Sequence, residues 1–316
     1  MSPVATQNVR EALDRALVEG AASDPEIVVV DADYPRAGEG TEFQRRFPER
    51  FFDVRAEDPS TLATSARLAG EGRTVVARAL AVLSVGRAYH TLRGSICEPR
   101  ADVKLMADPG RARLDPERAT SPMIDDIGIV RGLPSVSIVC PADGPETAAA
   151  ARALVTLDGP AYLRVPGESL PTLTDGSFEL GRSAELRAGS DLAILAIGRP
   201  VARALETAEE LGRAGISARV LDFASLKPFD ERALLRAARE TGAILTLEDH
   251  SVVSGLGALV AAATAEEYPV PVRRMGAPDL FPEELPATSL KDPFGLDRDR
   301  CLEEAYELLQ RRGKVQ

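Results

Sequence analysis

The stretch FFDVRAEDPSTLATSARLAG, residues 51–70, changes its pattern partway along. Its first residues, Phe51–Val54, are aromatic or β-branched around one aspartate and predict a short strand. The polar residues that follow contain Glu57 and Asp58, and beyond them small and apolar residues recur with helical spacing up to Gly70. We therefore predict a strand, an acidic turn and a helix, the repeating element of a parallel α/β sheet.

The same alternation continues on both sides of this stretch. The run Ile27–Val30 predicts a buried strand, and the helical pattern before it, which starts at Val9, is expected to stop at Gly20. Further strand-like runs alternate with helical segments downstream; they are Thr74–Leu83, Val103–Met106, Ser135–Cys140 and Ala161–Val165. These elements predict a first domain at residues 1–165.

A change of composition follows the first domain. Residues 166–190 are rich in Pro, Gly and Ser and predict a linker with room for a short edge strand. Strand and helix patterns then restart at Leu192 and end in a helix expected at Arg300–Arg311, which gives a second domain at 191–316. The predicted fold class is α/β, with two domains that each contain a mainly parallel sheet flanked by helices.

Composition excludes several classes of function. Acidic residues outnumber basic ones 49 to 38 among 316 residues, and the net charge of −11 disfavours binding to nucleic acid. No apolar run is long enough to predict a membrane span. The three cysteines form no CxxC pair, which indicates a reducing compartment, so we expect a cytoplasmic protein. With only His90 and His250 available, a multi-histidine metal site is excluded, and we predict no metal ligands in this chain.

Searches for common nucleotide and hydrolase motifs fail. Gly255 and Gly257 precede a helical pattern, but Val260 stands where a dinucleotide-binding motif needs its third glycine. Neither a GxxxxGK[ST] sequence nor a GxSxG sequence occurs. The two glycines are therefore expected to form a turn and a close backbone contact before a helix.

The stretch at residues 51–59 resembles the strand, turn and helix of the transketolase family, where the turn carries a catalytic glutamate. Other matching stretches occur in the family's order; they are IVVVDAD at 27–33, GRAY at 86–89, DDI at 125–127, RGLP at 131–134, VCPAD at 139–143, GPAYLR at 159–164, LKP at 226–228, TGAI at 241–244 and EDH at 248–250. The chain is therefore identified as similar to the pyrimidine-binding and C-terminal domains of this family, as found in split transketolases and in the β chains of 2-oxo acid dehydrogenases.

The resemblance implies an enzyme that uses thiamine diphosphate and Mg²⁺ to transfer a two-carbon ketol unit from a ketose phosphate or a related ketose. The family's metal–diphosphate motif, a GDG sequence with a paired asparagine downstream, belongs to a third domain. This chain contains no GDG sequence and one asparagine, Asn8. The resemblance therefore implies that an N-terminal-type partner subunit holds the metal and the diphosphate, in an α2β2 assembly that alone is active.

Five residues near the implied cofactor follow from the resemblance. Ungapped alignment places the catalytic acid, which hydrogen-bonds the aminopyrimidine ring, at Asp58, and a shift by one residue places it at Glu57. Both carboxylates could instead stabilise the N-terminus of the following helix. Leu80 and Leu83 replace the aromatic residues that sandwich the pyrimidine, although they could also be ordinary core leucines. Gly86 opens the next matching stretch and is expected at the cofactor.

Three more positions are expected at the substrate. Arg164 matches an arginine that meets the sugar-phosphate end, a role suited to the guanidinium fork, although a surface ion pair is the alternative. Asp33 matches an acid at the entrance to the site but could have a structural role. Ser121 stands where the family has a substrate-contacting histidine, yet Ser followed by Pro is also a typical helix N-cap.

Two other functions stay open. Three changes around one cofactor are also compatible with a degenerate subunit that scaffolds or regulates a transketolase-like complex without activating thiamine itself. The remaining alternative is different chemistry on the same fold without thiamine.

Overall fold

The computed structural model describes residues 5–32, 41–54, 58–78, 86–108, 124–280 and 294–315. The chain divides into two compact units, unit 1 at Met1–Leu180 and unit 2 at Gly181–Gln316. Each unit contains a mainly parallel sheet with helices packed on it, which confirms the predicted fold class.

Unit 1 is built from eight strands and six α-helices within the described ranges. The strands are β1 (Thr6–Asn8), β2 (Ile27–Asp31), β3 (Phe51–Asp53), β4 (Thr74–Arg78), β5 (Val103–Ala107), β6 (Ser137–Val139), β7 (Ala161–Arg164) and β8 (Ser169–Pro171). The helices are α1 (Val9–Ser23), α2 (Glu42–Arg46), α3 (Asp58–Gly70), α4 (Gly86–Thr91), α5 (Asp126–Arg131) and α6 (Gly144–Val155). A 3₁₀ turn at Pro48–Arg50 precedes β3, and a π-helical segment at Leu92–Cys97 continues α4.

Six strands of unit 1 run parallel in the order β6-β7-β5-β4-β2-β3. Every residue of β2 is buried, as is typical of a strand covered on both faces. One face packs against α1 and α6, where Val29, Val76 and Leu163 of the sheet meet Leu13 and Leu154 of the two helices.

Helix α1 extends three residues beyond the predicted end at Gly20. Ala21, in its final turn, is buried, and the main-chain N–H of Asp24 donates to the Gly20 carbonyl at 2.9 Å. A glycine inside a helix costs about 1 kcal/mol relative to alanine. A Cβ at Gly20 would lie 3.4 Å from the Ile27 side chain, an ordinary contact distance, so the burial of Ala21 rather than a tight fit at Gly20 favours the extra residues of the helix. Tertiary packing therefore outweighs the local preference.

The predicted linker at 166–190 contains two short strands. Strand β8 pairs antiparallel with β1 in unit 1, from Thr6 opposite Pro171 to Asn8 opposite Ser169. Strand β9 (Ala184–Arg187) pairs antiparallel with a strand of unit 2. The segment is therefore tied to both units by main-chain hydrogen bonds.

Unit 2 has a five-stranded sheet in the order β14-β13-β10-β11-β9, parallel except for β9. The other four strands of this sheet are β10 (Leu192–Ala196), β11 (Ala218–Asp222), β13 (Ile244–Ser251) and β14 (Val272–Ala277), and a further short strand of unit 2, β12 (Ser225–Lys227), lies outside it. The helices are α7 (Pro200–Arg213), α8 (Glu231–Thr241), α9 (Leu256–Glu267) and α10 (Arg298–Val315). Helix α8 shows how local sequence sets the bounds, because the Asp230 carboxylate accepts from Ala233 N–H at 3.0 Å and Gly242 ends the helix with a φ of 68°.

Candidate functional site

The parallel strands of unit 1 place their carboxyl ends at one edge of the sheet. Strands β2, β4 and β7 end at Asp31, Arg78 and Arg164, and each of these charged residues lies at that edge. Helices α3 and α4 begin at Asp58 and Gly86, after β3 and β4 respectively. Binding sites in parallel α/β sheets form at this edge, so it is the candidate site of unit 1.

Most of the sequence-predicted site residues belong to segments that leave or enter this edge. Asp33, Glu57, Leu80, Leu83 and Ser121 lie outside the described residues. The described elements that flank them are the carboxyl ends of β2, β3, β4 and β5 and the first residues of α3, α4 and α5. Their assignments stay predictions.

Arg164 is described, and it lies in a buried network. Its guanidinium is 4% exposed, and Nε donates to Asp126 Oδ2 at 2.9 Å. The hydroxyl of Tyr162 donates to the same oxygen at 2.7 Å. Burial, and then the charge of Asp126 beside it, raises the pKa of Tyr162 well above its ordinary value of 10, so the phenol stays a donor. An ion pair is therefore present, but it is buried rather than at the surface.

Two ion pairs at this edge were not predicted from the sequence. Arg10 of α1 forms an ion pair with Asp108, which directly follows β5, and Arg78 pairs with Asp31 at 3.4 Å. The carboxylates are buried, at 3% and 1% exposed, whereas the guanidinium side chains are 25% and 22% exposed. Both arginines line a cavity of about 30 Å³ together with Val165. Two buried carboxylates thus hold two arginine side chains that remain partly exposed.

Asp14 of α1 belongs to the same region. Its carboxylate accepts from Glu42 N–H at 2.7 Å. Burial raises its pKa above the ordinary value of 3.8, while the positive charge of Arg78 acts in the opposite direction and does not fully compensate. Arg78 therefore interacts electrostatically with a second acidic group, Asp14, besides its ion-pair partner Asp31.

A larger cleft of about 630 Å³ lies at the opposite, amino end of the same sheet. Residues that line it include Thr74, Asp102 and Asp158. Beside it the fully buried Lys104 ammonium pairs with Asp102 and donates to the Gly159 carbonyl at 2.5 Å, and burial lowers the pKa of Lys104. Because ligands bind at the carboxyl ends of parallel strands, we assign the candidate site to the smaller cavity's edge.

At the corresponding edge of unit 2, Glu248 of β13 binds the N-terminus of α9. Its buried carboxylate accepts from Leu256 N–H at 2.7 Å and from Gly257 N–H at 2.9 Å, at the N-terminus of α9. A Cβ at Gly255 would overlap this carboxylate, so the glycine is required for the close approach. The buried His250 donates from Nδ1 to the Ser251 carbonyl at 3.0 Å. The GLG sequence thus forms a turn and a close backbone contact, as expected.

Two observations concern metals and membranes. Within the described ranges, no group of three or more His, Cys, Asp or Glu side chains is placed to hold a metal ion. None of the helices in those ranges combines the length and the hydrophobicity that crossing a bilayer requires.

Comparison with known proteins agrees with this architecture of two parallel α/β sheets. The family model for the transketolase pyrimidine-binding domain matches residues 5–172, and the model for the transketolase C-terminal domain matches residues 181–301. The chain therefore belongs to the transketolase family.

Relatives of similar length include single subunits. The chain is 35% identical to the 6-deoxy-6-sulfo-D-fructose transketolase subunit SqwH of Clostridium sp. strain MSTE9, over 94% of this chain and 92% of the relative. It is 32% identical to a subunit of the apulose-4-phosphate transketolase of Phocaeicola vulgatus, over 96% and 97% of the two chains. A solved split-gene transketolase, described as an inactive β4 tetramer, matches with a TM-score of 0.86 at 37% identity and covers 96% of this chain and 98% of its own. The expected resemblance to the C-terminal subunits of split transketolases is confirmed.

The edge of unit 1 fits the chemistry that thiamine diphosphate requires of this part of a transketolase. The pyrimidine needs a carboxylic acid at the carboxyl edge of the sheet, and a carboxyl residue, Asp58, opens α3 there. The chain's own residues are thus compatible with the pyrimidine end of the cofactor.

Proposed function

We propose that this chain is the C-terminal subunit of a thiamine diphosphate-dependent enzyme that transfers a two-carbon ketol unit from a ketose phosphate or a related ketose. The observation that supports this most is the match of both domain models in order along the chain. The second support is the sheet topology, because the described strands next to the predicted site residues end at the same edge of the sheet.

In this proposal the chain supplies the pyrimidine half of the site. When bound, thiamine diphosphate supplies the carbon nucleophile and the electron sink for cleavage of a C–C bond. Glu57 or Asp58 hydrogen-bonds the aminopyrimidine and holds its proton, while Leu80 and Leu83 contact the ring and Gly86 allows it to approach. Leucine retains the apolar contact but loses aromatic stacking of about 0.5–1.5 kcal/mol.

The substrate-binding part of the proposed site combines residues that the resemblance assigns with residues that the structure describes. Asp33 and Ser121 are proposed near the ketose. The guanidinium groups of Arg10 and Arg78, held by buried carboxylates, provide donors for hydroxyl or anionic oxygens at the same edge. Arg164, which the sequence assigns to the sugar-phosphate end, is buried in the Asp126 pair.

The proposal includes a partner. An N-terminal-type transketolase subunit would hold Mg²⁺ and the diphosphate in an α2β2 assembly, since the family's motif for them does not occur in this sequence. Two relatives that match along most of their length are named as subunits, which supports a shared active site.

The test uses the complex of both subunits. Calorimetric titration with thiamine diphosphate and Mg²⁺ should show saturable binding, and the complex should transfer a two-carbon unit from a ketose donor to an aldehyde acceptor. Removing a general acid typically lowers turnover by about 10²–10⁴-fold, so Glu57→Ala or Asp58→Ala should do so. Glu49→Ala is the matched control, because this acid is 71% exposed and lies just before β3.

The alternative is a scaffold or regulatory subunit, favoured by the leucines at 80 and 83 and the serine at 121. It predicts that a Glu57→Ala/Asp58→Ala double variant turns over like the wild type in a complex with an active paralogue. Failure of the wild-type complex to bind the cofactor would reject the proposed enzymatic function.

A further inference from the structure

We propose that Tyr162, Arg164 and Asp126 are positioning residues that hold the start of α5 against the carboxyl end of β7, and that Arg164 does not contact the substrate. This inference rests on the proposed function for its catalytic consequence. Its structural part concerns only described residues of unit 1.

The first step is the accessibility of Arg164. The guanidinium is 4% exposed, Asp126 is fully buried, and the two are joined at 2.9 Å through Nε. A substrate oxyanion would have to compete with this buried carboxylate. By contrast, Arg10 and Arg78 are about a quarter exposed at the same edge. Among the described residues that line the cavity, the accessible cationic donors are therefore Arg10 and Arg78.

The second step is what Asp126 holds. It is the first residue of α5, a helix of six residues whose N-cap, Asp125, makes no side-chain capping bond. Helices this short are not stable without tertiary contacts. Ile127 and Val130 are buried, and the Tyr162 and Arg164 bonds fix the first turn. The position of α5 therefore depends on the Asp126 carboxylate.

The third step connects this anchor to the candidate site. Directly after Arg164, the N–H of Val165 donates to the Ala107 carbonyl at 2.7 Å, and Asp108 follows Ala107 in the sequence. Val165 and Asp108 line the cavity that Arg10 and Arg78 share. The segment that joins β5 to α5 contains Ser121. The network thus fixes both ends of that segment relative to the cavity.

The first experiment measures amide hydrogen exchange of the full chain and of its complex. Tyr162→Phe removes one donor to a charged acceptor, and we expect exchange at residues 126–131 to rise about tenfold while α6 is unchanged. The control Thr147→Val removes a buried hydroxyl that donates to the Asp143 carbonyl at 2.6 Å in α6, and it should affect α6 only. An equal rise throughout unit 1, or none at 126–131, would overturn the proposal.

The second experiment separates positioning from substrate contact by kinetics of the complex. We expect Tyr162→Phe and Arg164→Lys to raise KM for the ketose by a similar factor, about three- to tenfold, with kcat changed less than twofold. An effect of Arg164→Lys with no effect of Tyr162→Phe would show that Arg164 contacts the substrate. Asp126→Asn leaves a buried guanidinium beside a neutral group and can prevent folding, so Tyr162→Phe carries the test.

The two proposals fail in different ways. A wild-type complex that neither binds thiamine diphosphate nor cleaves a ketose rejects the proposed function, while hydrogen exchange still decides the role of Asp126. An active wild-type complex whose Tyr162→Phe variant is indistinguishable in exchange and KM rejects only the positioning role.

Discussion

The carboxyl edges of the two sheets use their charged residues differently. In unit 2 the Glu248 carboxylate is fully buried and satisfied by two N–H groups of its own unit. In unit 1 the carboxylates of Asp31 and Asp108 are buried as well, but their partners are arginines that remain partly exposed. The first arrangement completes a helix end, whereas the second holds arginine side chains that remain partly exposed.

This difference shows why fold similarity alone does not locate a site. Both units have parallel strands that end in acidic residues, and both would be candidates on topology. The partners of the acids distinguish Glu248 from Asp31 and Asp108, but not unit 2 from unit 1, because in unit 2 the 32% exposed Arg199 pairs with the buried Asp249 at 2.9 Å. We therefore expect the ligand at the edge of unit 1 because the family model that matches this unit is that of the pyrimidine-binding domain.

The largest expected effect is on the stability of unit 2. Glu248→Ala leaves two buried N–H groups of α9 without their charged acceptor, and we expect the free energy of unfolding to fall by about 3–5 kcal/mol. Urea denaturation followed by circular dichroism measures this. Glu206→Ala, which removes a 58% exposed acid from a surface pair with Arg203, should cost below about 1 kcal/mol. Equal losses for the two variants would contradict the structural role of Glu248.

A smaller effect is expected at the arginines of unit 1. Arg10→Met keeps most of the side-chain stem but removes the guanidinium from Asp108, and we expect a loss of about 1–2 kcal/mol because Arg10 is partly solvated. The same variant should raise KM for the ketose in the complex. Arg152→Met, at a half-exposed pair with Glu19, is the control and should change stability by about 0.5 kcal/mol or less. A loss as large as that of Glu248→Ala would remove the distinction between the two edges.

The smallest effect concerns pH. Because burial raises the pKa of Asp14, the folded chain binds a proton more tightly than the unfolded chain does. The contribution of Asp14 to stability should therefore decrease as pH rises from 3.8 through its folded pKa. Denaturation of wild type and Asp14→Asn across the acidic range should show the variant gaining relative stability with rising pH. A constant difference between them would contradict the shift.

Sequence patterns predicted the elements that carry strong local signals. The run Ile27–Val30 appears as β2, and the helical pattern after Gly257 as α9. Strands β1 and β8 have three residues each, too few for a periodic signal, and their pairing depends on a contact across most of unit 1. The predicted end of α1 was wrong because the burial of Ala21 in the final turn overrides the preference of glycine.

The candidate site was predictable only in part. The acidic turn before α3 and the family resemblance indicate the sheet edge and the cofactor. The Arg10–Asp108 pair joins residues far apart in sequence, and neither lies in a motif that signals it. Likewise, the sequence identifies Arg164 and the DDI stretch separately, but only the fold shows that Asp126 buries the guanidinium. Capping of α9 by Glu248 needed the same three-dimensional information.

The antiparallel pair of β1 and β8 has a consequence for biosynthesis. Thr6 is translated before its partner, Pro171, and strands β2 to β7 are made between them. In a nascent chain β1 therefore cannot pair with β8 until those six strands have been translated. Because this pairing places β1 next to β8, a short peptide could connect the two strands in a circular permutant.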